Sequence, residues 1–402
     1  MKSYWTILAA IALGGCGTKE TVVVKAQPDT GPVVHGPASD PCANQTPGTA
    51  CTWLGVKGEQ GYDADGHPRF QTQVNQVQDL LFLPDGTAWF TDFNNYLVRK
   101  VLPDGKVQSI VGWTDPVFPG DGPGKAADPM GTPGPSWQLN HPTTLFLKDG
   151  MVNLVAWHNH KVLTIDPKSG LVKIVCGGGA GFAGDGGPAM KALFKQPVDA
   201  TVDEAGNIYI VDQANWRIRK IGADNNISTI AGIGKSGSTG DGAPAIEAQF
   251  SWEAGSNPNP SGGIVYNKGK LYISDTEAHR IRVIDLTTGM IDAFAGTGTK
   301  GFGGDNGPAK DAKLAEPRDL EIGPDGDLYF ADTDNSVVRA INLTTGVIRS
   351  VVGIGGELGM DDAELLPAAK FHLRRPFGVS FDPQGNLYVM DTLNSRIVKV
   401  AK

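Results

Sequence analysis

The sequence predicts an all-β protein in which one unit of four strands is repeated six times. A chain of 402 residues exceeds what a single hydrophobic core usually supports, so it must divide into domains or repeat itself. The composition of 54 Gly and 27 Pro, with 19% charged residues, indicates many short strands joined by tight turns. Related segments then recur at intervals of about 60 residues along most of the chain.

Four clear copies and two degenerate copies of one hairpin motif define the repeat. The clear copies read GNIYIVDQANWRIRKI from Gly206, GKLYISDTEAHRIRVI from Gly269, GDLYFADTDNSVVRAI from Gly326 and GNLYVMDTLNSRIVKV from Gly385. The degenerate copies read GTAWFTDFNNYLVRKV from Gly86 and GMVNLVAWHNHKVLTI from Gly150. Strand signals on both sides of each hairpin complete a four-stranded antiparallel sheet. Such a sheet cannot bury both faces alone, so we predict that the six units pack radially as a six-bladed β-propeller.

The sixth unit contains three strand signals, the last over residues 396–401, and lacks a fourth. Residues 51–58, which precede the first unit, match the end of a repeat and the start of its Gly-rich loop. We therefore predict that residues 52–55 hydrogen-bond alongside residues 396–401. This N-terminal strand would close the last blade and remove an open sheet edge.

The repeat resembles the NHL-repeat family over about residues 50–402, through the motif G-N-L-Y-V-x-D-T-x-N-x-R-I. The loops between units read GGGAGFAGDGGPA from Gly177, GIGKSGSTGDGAPA from Gly232 and GTGTKGFGGDNGPA from Gly296. They resemble the extended NHL repeats of bacterial surface proteins and of teneurins. The second unit has Ala156 in place of the hairpin aspartate and the fourth has Ala278 in place of the asparagine, so we expect irregular hairpins in those two units.

The N-terminal residues have the layout of a bacterial lipoprotein signal. Lys2 precedes a short apolar run, and two glycines and Cys16 follow it. The run is too short for a permanent transmembrane helix, and its end resembles the lipobox, in which the cysteine is acylated. We expect a signal peptide over residues 1–15, the lipidated Cys16 and a flexible tether over residues 16–49, and the propeller over residues 50–402. A lipid anchor would then hold the protein at the bacterial cell envelope, at the outer membrane in a Gram-negative cell.

Two further cysteines lie on either side of a short Pro/Gly loop just before the closing strand. An oxidising envelope compartment permits a disulfide between Cys42 and Cys51. Cys176 stands where other units have a small apolar residue, which favours a buried side chain over a reactive thiol.

The formal charge of −8 disfavours binding to nucleic acid or to anionic headgroups, so the membrane would be contacted through the lipid anchor alone. Among proteins with the same fold, the lyase that completes peptide amidation holds zinc with histidines from separate blades at its channel mouth. The matching positions here, just before each first strand, are Gln76, His141, Gln196, Asn259, Glu316 and Arg375. One histidine does not reproduce that zinc site. We single out His141, Glu316, Arg318 and Arg375 as channel-mouth residues.

Aromatic residues in the hairpins are the candidate binding residues. Phe93, Tyr96, Trp157 and Trp216 occupy turns that ordinarily carry polar side chains. Some of these aromatics would only cover neighbouring blades. Together with Trp113, Trp137 and Trp252 in the loops between units, they would form an aromatic patch of the kind that contacts proteins or carbohydrates.

Aspartates recur at two further positions of the repeat. The hairpin aspartates are Asp92, Asp212, Asp275, Asp332 and Asp391, and recurrence at one structural position favours turn capping with the nearby asparagines. The Gly-Asp-Gly loops carry Asp121, Asp185, Asp241 and Asp305. Carboxylate and carbonyl oxygens in these loops are the ligands that calcium takes, but the loops lack the dense acidic spacing of strong calcium sites, which favours structural turns.

A third set of aspartates predicts convergence at one end of the channel. Two residues after the start of the first strand, blades one, three and five carry Asp79, Asp199 and Asp319, whereas the other blades carry threonine or glycine. Alternate blades are related by an approximate three-fold axis, so the three carboxylates should approach one another. They would either bind a hard cation such as calcium or cap neighbouring backbone amides, and Arg318 and Arg375 could also neutralise them.

The function favoured by this sequence is a non-enzymatic binding scaffold on the cell envelope, with the loop-rich face of the propeller turned toward a protein or glycan partner. The anchor layout supports it, as does the lack of a recognisable catalytic set, including a G-x-S-x-G elbow. The alternative is a metal-assisted lyase or lactonase that acts on a small substrate at the channel mouth.

Overall fold

A computed structural model describes residues 36–114, 131–256 and 258–402. The predicted signal peptide, the acylation site Cys16 and part of the predicted tether lie outside these residues, as does Asp121. Within the described part of the chain, no helix is both long enough and apolar enough to cross a membrane.

The described residues form six antiparallel sheets, which are the six blades of a β-propeller. Blades are numbered along the chain, and strands are lettered a to d from the channel outward. Strands a to d are Val77–Phe82, Ala88–Asp92, Leu97–Val101 and Val107–Val111 in blade 1; Pro142–Lys148, Met151–Ala156, Lys161–Ile165 and Leu171–Cys176 in blade 2; Pro197–Val202, Ile208–Asp212, Arg217–Ile221 and Ile227–Ala231 in blade 3; Ile264–Asn267, Lys270–Asp275, Arg280–Asp285 and Met290–Ala295 in blade 4; Pro317–Ile322, Leu328–Asp332, Val337–Ile341 and Ile348–Val352 in blade 5; and Gly378–Phe381, Leu387–Asp391, Arg396–Val400 and Thr49–Leu54 in blade 6.

Short edge strands and 3-10 helices complete the blades. The edge strands pair with strand d and are Thr132–Pro133 in blade 2, Ala243–Pro244 in blade 4 and Leu365–Pro367 in blade 6. Helices in the b–c hairpins are Phe93–Asn95, Gln213–Asn215, Thr276–Ala278, Thr333–Asn335 and Thr392–Asn394. Helices that precede strand a are Arg69–Gln71, Gly134–Ser136, Ala189–Lys191, Ala245–Glu247, Ala309–Asp311 and Ala368–Lys370. Each strand a contacts strand a of both neighbouring blades, so the ring is continuous.

The prediction that an N-terminal strand closes the last blade is confirmed. Thr49–Leu54 pairs antiparallel with Arg396–Val400, with Cys51 opposite Lys399 and Thr52 opposite Val398. The strand begins three residues earlier than predicted. A disulfide joins Cys42 to Cys51 within this strand, with their Cα atoms 5.6 Å apart. Cys176 is a buried free thiol in the described part of the chain, and burial raises its pKa to about 12.

Each hairpin aspartate is the anchor of a buried polar network, which confirms the turn-capping interpretation. In blade 3, Asp212 accepts hydrogen bonds from the Lys195 backbone N–H at 2.8 Å and from Nδ2 of Asn215 at 2.9 Å. Nη1 of Arg219 lies 3.2 Å from the same carboxylate, and both side chains are fully buried. Blades 1, 4, 5 and 6 repeat the ion pair with Asp92–Arg99, Asp275–Arg282, Asp332–Arg339 and Asp391–Arg396.

The Gly-rich loops contribute a second carboxylate to most of these arginines. The pairs are Arg99–Asp65, Arg219–Asp185, Arg282–Asp241 and Arg339–Asp305. Because an arginine already neutralises each of these carboxylates, the loops fit the structural interpretation better than calcium binding.

Two blades depart from the motif in different ways. In blade 2 Ala156 and Leu163 occupy the positions of the hairpin aspartate and its arginine, and both lie in one apolar cluster with Trp137. Its hairpin has no 3-10 helix. The irregular hairpin expected in blade 4 is not found, because Oγ of Ser238 donates to Asp275 at 3.0 Å in place of the missing asparagine.

Candidate functional site

A cavity of about 290 Å³ lies at the end of the channel where the b–c hairpins meet the segments that precede strand a. We call it the mouth cavity. It brings together four residues singled out from the sequence, namely Phe93, His141, Trp157 and Arg375. The rest of its lining is Gln76, Gln78, Asn94, Pro258, Asn259, Pro260, Phe377 and Leu393. Aromatic, amide and cationic side chains thus converge on a concave site.

The backbone holds the channel-mouth residues in a fixed conformation. Five of the six positions adopt left-handed φ values between 48° and 58°, which non-glycine residues seldom do; they are Gln76, His141, Gln196, Glu316 and Arg375. In several blades the preceding hairpin anchors the next mouth residue. The backbone N–H of Glu316 donates to Nδ1 of His279 at 3.2 Å, and that of Arg375 donates to Oγ of Ser336 at 3.3 Å. Neighbouring blades therefore position the mouth side chains jointly.

Blade 2 supplies a histidine and aromatic cluster to the mouth cavity. Nδ1 of His141 lies 3.1 Å from Nδ1 of His158, a distance that fits one N–H···N hydrogen bond. The His158 ring stacks on Trp157 with 3.9 Å between ring centroids, and Phe93 and Tyr96 pack against His141. Burial lowers the pKa of both histidines to about 4, so the cluster is uncharged at neutral pH.

Blades 5 and 6 supply a charged network on the other side of the mouth. Oε2 of Glu316 lies 2.9 Å from Nη2 of Arg375 and 3.4 Å from Nη2 of Arg318, and Oε1 lies 2.8 Å from Nζ of Lys300. Burial opposes ionisation of Glu316, but hydrogen bonds with Asp334 and Lys300 and the charge of Arg318 outweigh it and lower the Glu316 pKa to about 2. Glu316 is therefore ionised at neutral pH, and its carboxylate interacts with three cationic side chains.

Below the mouth cavity the channel narrows to a cavity of about 40 Å³, which we call the neck. Gln78, Pro260 and Phe377 line both cavities, so the two are adjacent. The neck is also lined by Arg318 and by all three channel aspartates. The sequence-based prediction that Asp79, Asp199 and Asp319 converge at one level of the channel agrees with this placement.

The channel aspartates tie each odd-numbered blade to the even-numbered blade that follows. The carboxylate of Asp79 accepts the Leu145 N–H at 2.6 Å, that of Asp199 accepts the Ile264 N–H at 2.7 Å, and that of Asp319 accepts the Val379 N–H at 2.8 Å. Within the described ranges, no group of three or more His, Cys, Asp or Glu side chains is arranged to hold a metal ion. The geometry therefore supports backbone capping rather than the calcium site considered for these residues.

Burial makes the channel carboxyls hard to ionise. It raises the pKa of Asp79 to about 6 and that of Asp199 to about 7, and the pKa of Asp319 rises well above its usual range. Beyond the neck a larger cavity of about 370 Å³ includes Glu321, whose pKa burial and the charges of Asp79 and Asp199 raise to about 8. Burial therefore favours the protonated, uncharged form of these carboxyls more than it would for exposed carboxyls.

The aromatic patch expected from the sequence is only partly formed. Trp137 and Trp252 are buried in the apolar core, and Trp216 packs there with its indole N–H donating to the Trp252 carbonyl at 3.0 Å. Phe93 and Trp157 line the mouth cavity, but they are only 6% and 1% exposed and belong to the same core cluster as Trp252. Trp216 is half-buried, and Trp113 is exposed on a loop. The seven aromatics therefore do not form one open surface, because Trp137, Trp157 and Trp252 are buried packing residues.

Sequence reasoning did not single out six of the lining residues, which are Gln78, Asn94, Pro258, Pro260, Phe377 and Leu393. Phe377 separates Arg318 from Arg375, with its ring centroid 4.4 Å from Cζ of Arg318 and 6.0 Å from Cζ of Arg375. A signal for Gln78 and Phe377 did exist, because both stand directly before the position that carries Asp79, Asp199 and Asp319.

The family model for the teneurin NHL domain matches residues 264–361. Human teneurin-1 is 26% identical over 64% of the chain, and human NHL repeat-containing protein 2 is 28% identical over 60% of it. The chain spans only 12% and 35% of those two relatives.

Solved structures share the fold at low identity. A protein described as an auxiliary nutrient binding protein from Bacteroides ovatus superposes with a TM-score of 0.61 at 17% identity, over 89% of this chain and 77% of that one. The repeat motif, the six closed blades and the similarity to teneurin and NHL repeat-containing proteins together show that the described part of this chain is a β-propeller of NHL-type repeats.

Proposed function

We propose that this protein is a non-enzymatic binding protein of the cell envelope and that the mouth cavity holds part of a glycan. The observation that carries the proposal is the lining of that cavity, in which the largely buried aromatic rings of Phe93, Trp157 and Phe377 form part of the wall. The amide side chains of the same wall are those of Gln76, Gln78, Asn94 and Asn259. Aromatic rings pack against the apolar faces of sugars, and amides can both donate to and accept from hydroxyl groups.

The size of the cavity favours a small or protruding ligand. A volume of about 290 Å³ is at the lower end of ordinary ligand sites, which start at about 300 Å³. It suits a few sugar rings at the end of a chain better than a flat protein surface. The likeness to a protein described as nutrient binding supports the same class of function.

Filling the cavity should test this proposal. We expect Gln76→Trp to abolish binding of the full chain to an array of glycans, because the larger side chain would occupy the mouth. Gln76 has left-handed φ, and Trp216 shows that this fold accepts tryptophan in that conformation. The matched control is Gln108→Trp on the exposed outer strand of blade 1. An array on which the wild-type chain binds no glycan, or on which Gln76→Trp binds as the wild type does, would reject the mouth cavity as a glycan site.

The envelope anchor is the second part of the proposal, and Cys16 carries it. We expect Cys16→Ala to abolish acylation and to move the protein from the detergent phase to the aqueous phase in phase-separation experiments. Cys176→Ala is the control, because that thiol is buried inside the propeller. If Cys16→Ala still partitions into detergent, the anchor proposal fails while the glycan proposal stands.

A further inference from the structure

Arg318 is a buried cation that the protein does not fully pair. Its side chain is only 4% exposed, and it lines the neck directly below the mouth cavity. Neither Nε nor Nη1 has a hydrogen-bond partner among the described residues, and Nη2 has only a long contact of 3.4 Å with Glu316. Buried charged groups are ordinarily paired or hydrogen-bonded because desolvation is costly.

The carboxyl groups around Arg318 do not fully compensate its positive charge. Glu316 is already shared with Lys300 and with Arg375, whose Nε also lacks a partner among the described residues. Burial and its hydrogen bond with Glu316 raise the pKa of Asp334, the other carboxyl of this network. Burial and the charge of Glu316 likewise raise the pKa of Glu277, the next acidic neighbour, to about 7. Glu316 and Asp334 are therefore already engaged with Lys300 and Arg375, and burial disfavours the charged form of Glu277.

The approach to Arg318 runs from the mouth cavity. Phe377 lines both the mouth cavity and the neck, and the guanidinium of Arg318 lies over its ring. A volume of about 40 Å³ admits a group of a few atoms but not a sugar ring. A ligand seated in the mouth can therefore place one small group beside Arg318 without entering the channel.

We propose that Arg318 binds a carboxylate, and that the ligand of the mouth cavity is an acidic glycan whose carboxylate reaches into the neck. The assignment of a glycan rests on the proposed function above, whereas the carboxylate subsite rests on Arg318 alone. A carboxylate fits the neck in size and supplies acceptors to the two free guanidinium donors. It also provides the counter-charge that the buried cation lacks.

Acetate is the probe for the subsite, because it carries the carboxylate and nothing else. We expect sodium acetate, compared with sodium chloride at equal ionic strength, to raise the melting temperature of the full chain by about 2 °C or more. Arg318→Met should remove this rise, and Arg318→Lys should retain part of it. The control is Arg349→Met on the outer strand of the same blade, which should respond as the wild type does.

The ligand-free variant distinguishes a binding role from a structural one. If Arg318 serves a ligand, Arg318→Met should melt at or above the wild-type temperature without acetate, because an incompletely paired buried charge has been removed. A clear drop in melting temperature would show that Arg318 is a structural partner of Glu316 and would overturn the proposal. So would an acetate response that is absent in the wild type or unchanged in Arg318→Met.

The glycan class is tested with an oligogalacturonate and its fully methyl-esterified form, which differ only in charge. We expect the acid to bind at least about tenfold more tightly, and this preference to disappear in Arg318→Met. Equal binding of both forms would overturn the acidic-glycan assignment and leave the proposed function intact. An acetate response without binding to any glycan would keep the carboxylate subsite and reject the proposed function.

Discussion

Blades 2 and 3 are neighbours with the same topology of four main strands, but different interactions stabilise their interiors. Blade 3 buries the ion pair of Asp212 and Arg219, whereas blade 2 has Ala156 and Leu163 at those positions and fills the space with apolar side chains. Both members of the pair are replaced together in blade 2. The repeat can therefore be built with or without the ion pair, but a structure with only one member would leave a buried charge alone.

The ion pair does not decide which hairpin reaches the candidate site. The blade 2 hairpin contributes Trp157 to the mouth cavity, but the blade 1 hairpin, which keeps its ion pair, contributes Phe93 and Asn94. The blade 2 hairpin also holds the next blade, because Nδ1 of His160 accepts the backbone N–H of Gln196 at 3.0 Å. Loss of the ion pair changes the interior of blade 2 and leaves the contact between neighbouring blades in place.

Breaking the pair in blade 3 should have the largest effect. We expect Arg219→Leu to lower the free energy of unfolding by about 3–5 kcal/mol, because Asp212 would remain buried without its cation. Urea unfolding followed by circular dichroism measures the loss. The double variant Asp212→Ala and Arg219→Leu copies blade 2 and should lose less than the single variant. If the double variant is the less stable of the two, the blade 2 interior depends on more than the paired replacement.

The reverse change in blade 2 should be somewhat milder. Ala156→Asp places a carboxyl in an apolar cluster without an arginine, and we expect a loss of about 2–4 kcal/mol at pH 8. The loss should shrink at pH 4, because the buried acid can then take up a proton. Unfolding curves at both pH values test this. A loss that is equal at the two values would mean that the side chain is too large for the site rather than too charged.

Blades 2 and 3 also differ in strand a, where blade 3 has Asp199 and blade 2 has Thr144. Because only the aspartate titrates, this difference should make the stability depend on pH. Burial raises the pKa of Asp199 to about 7, so the folded chain keeps a proton that the unfolded chain releases above pH 4. Its contribution to stability is therefore greatest below pH 4 and falls as pH rises to 7. Between pH 4 and 7 we expect the free energy of unfolding of the wild type to fall relative to that of Asp199→Asn. The fall should be up to about 1.4 kcal/mol per pH unit. A difference independent of pH would show that Asp199 does not titrate there.

The histidines of blade 2 should give the smallest effect, with the opposite sign. The pKa of His141 is lowered to about 4, so the neutral folded form is favoured above pH 6.5 and loses stability as pH falls toward 4. The variant His141→Gln should lose less of its free energy of unfolding than the wild type as the pH falls from 6.5 to 4. The difference should be less than about 1 kcal/mol, because the ring is partly exposed. Thermal melts between pH 4 and 7 provide the measurement. An unchanged acid-side slope would assign the loss to other groups.

The sequence was sufficient for the blades, their order and the closing strand, because turn residues and strand periodicity repeat at fixed spacing. It also placed Asp79, Asp199 and Asp319 at one level, since position within a repeat determines height along the channel. It did not show that Trp157 is buried where it touches the cavity, or that Trp216 is half-buried against the core. Trp157 directly follows strand b of blade 2, whereas Trp216 stands four positions after the end of strand b in blade 3. The packing of each ring depends on the neighbouring blade, which the repeat motif does not specify. The pairing of Asp212 with Arg219 was overlooked although the two residues recur together.

The closing strand gives this ring an unusual order of assembly. Cys51 is paired with Lys399, a separation of 348 residues, so sheet contacts in blade 6 are far less local than those inside blades 1 to 5. Contacts between distant residues cost loop-closure entropy and form slowly. The first five blades can each form as their own residues emerge, but the ring stays open until the final strands are present. During that interval the N-terminal strand Thr49–Leu54 lacks its partner strand Arg396–Val400, and this is the stage at which chaperones or aggregation would compete with folding.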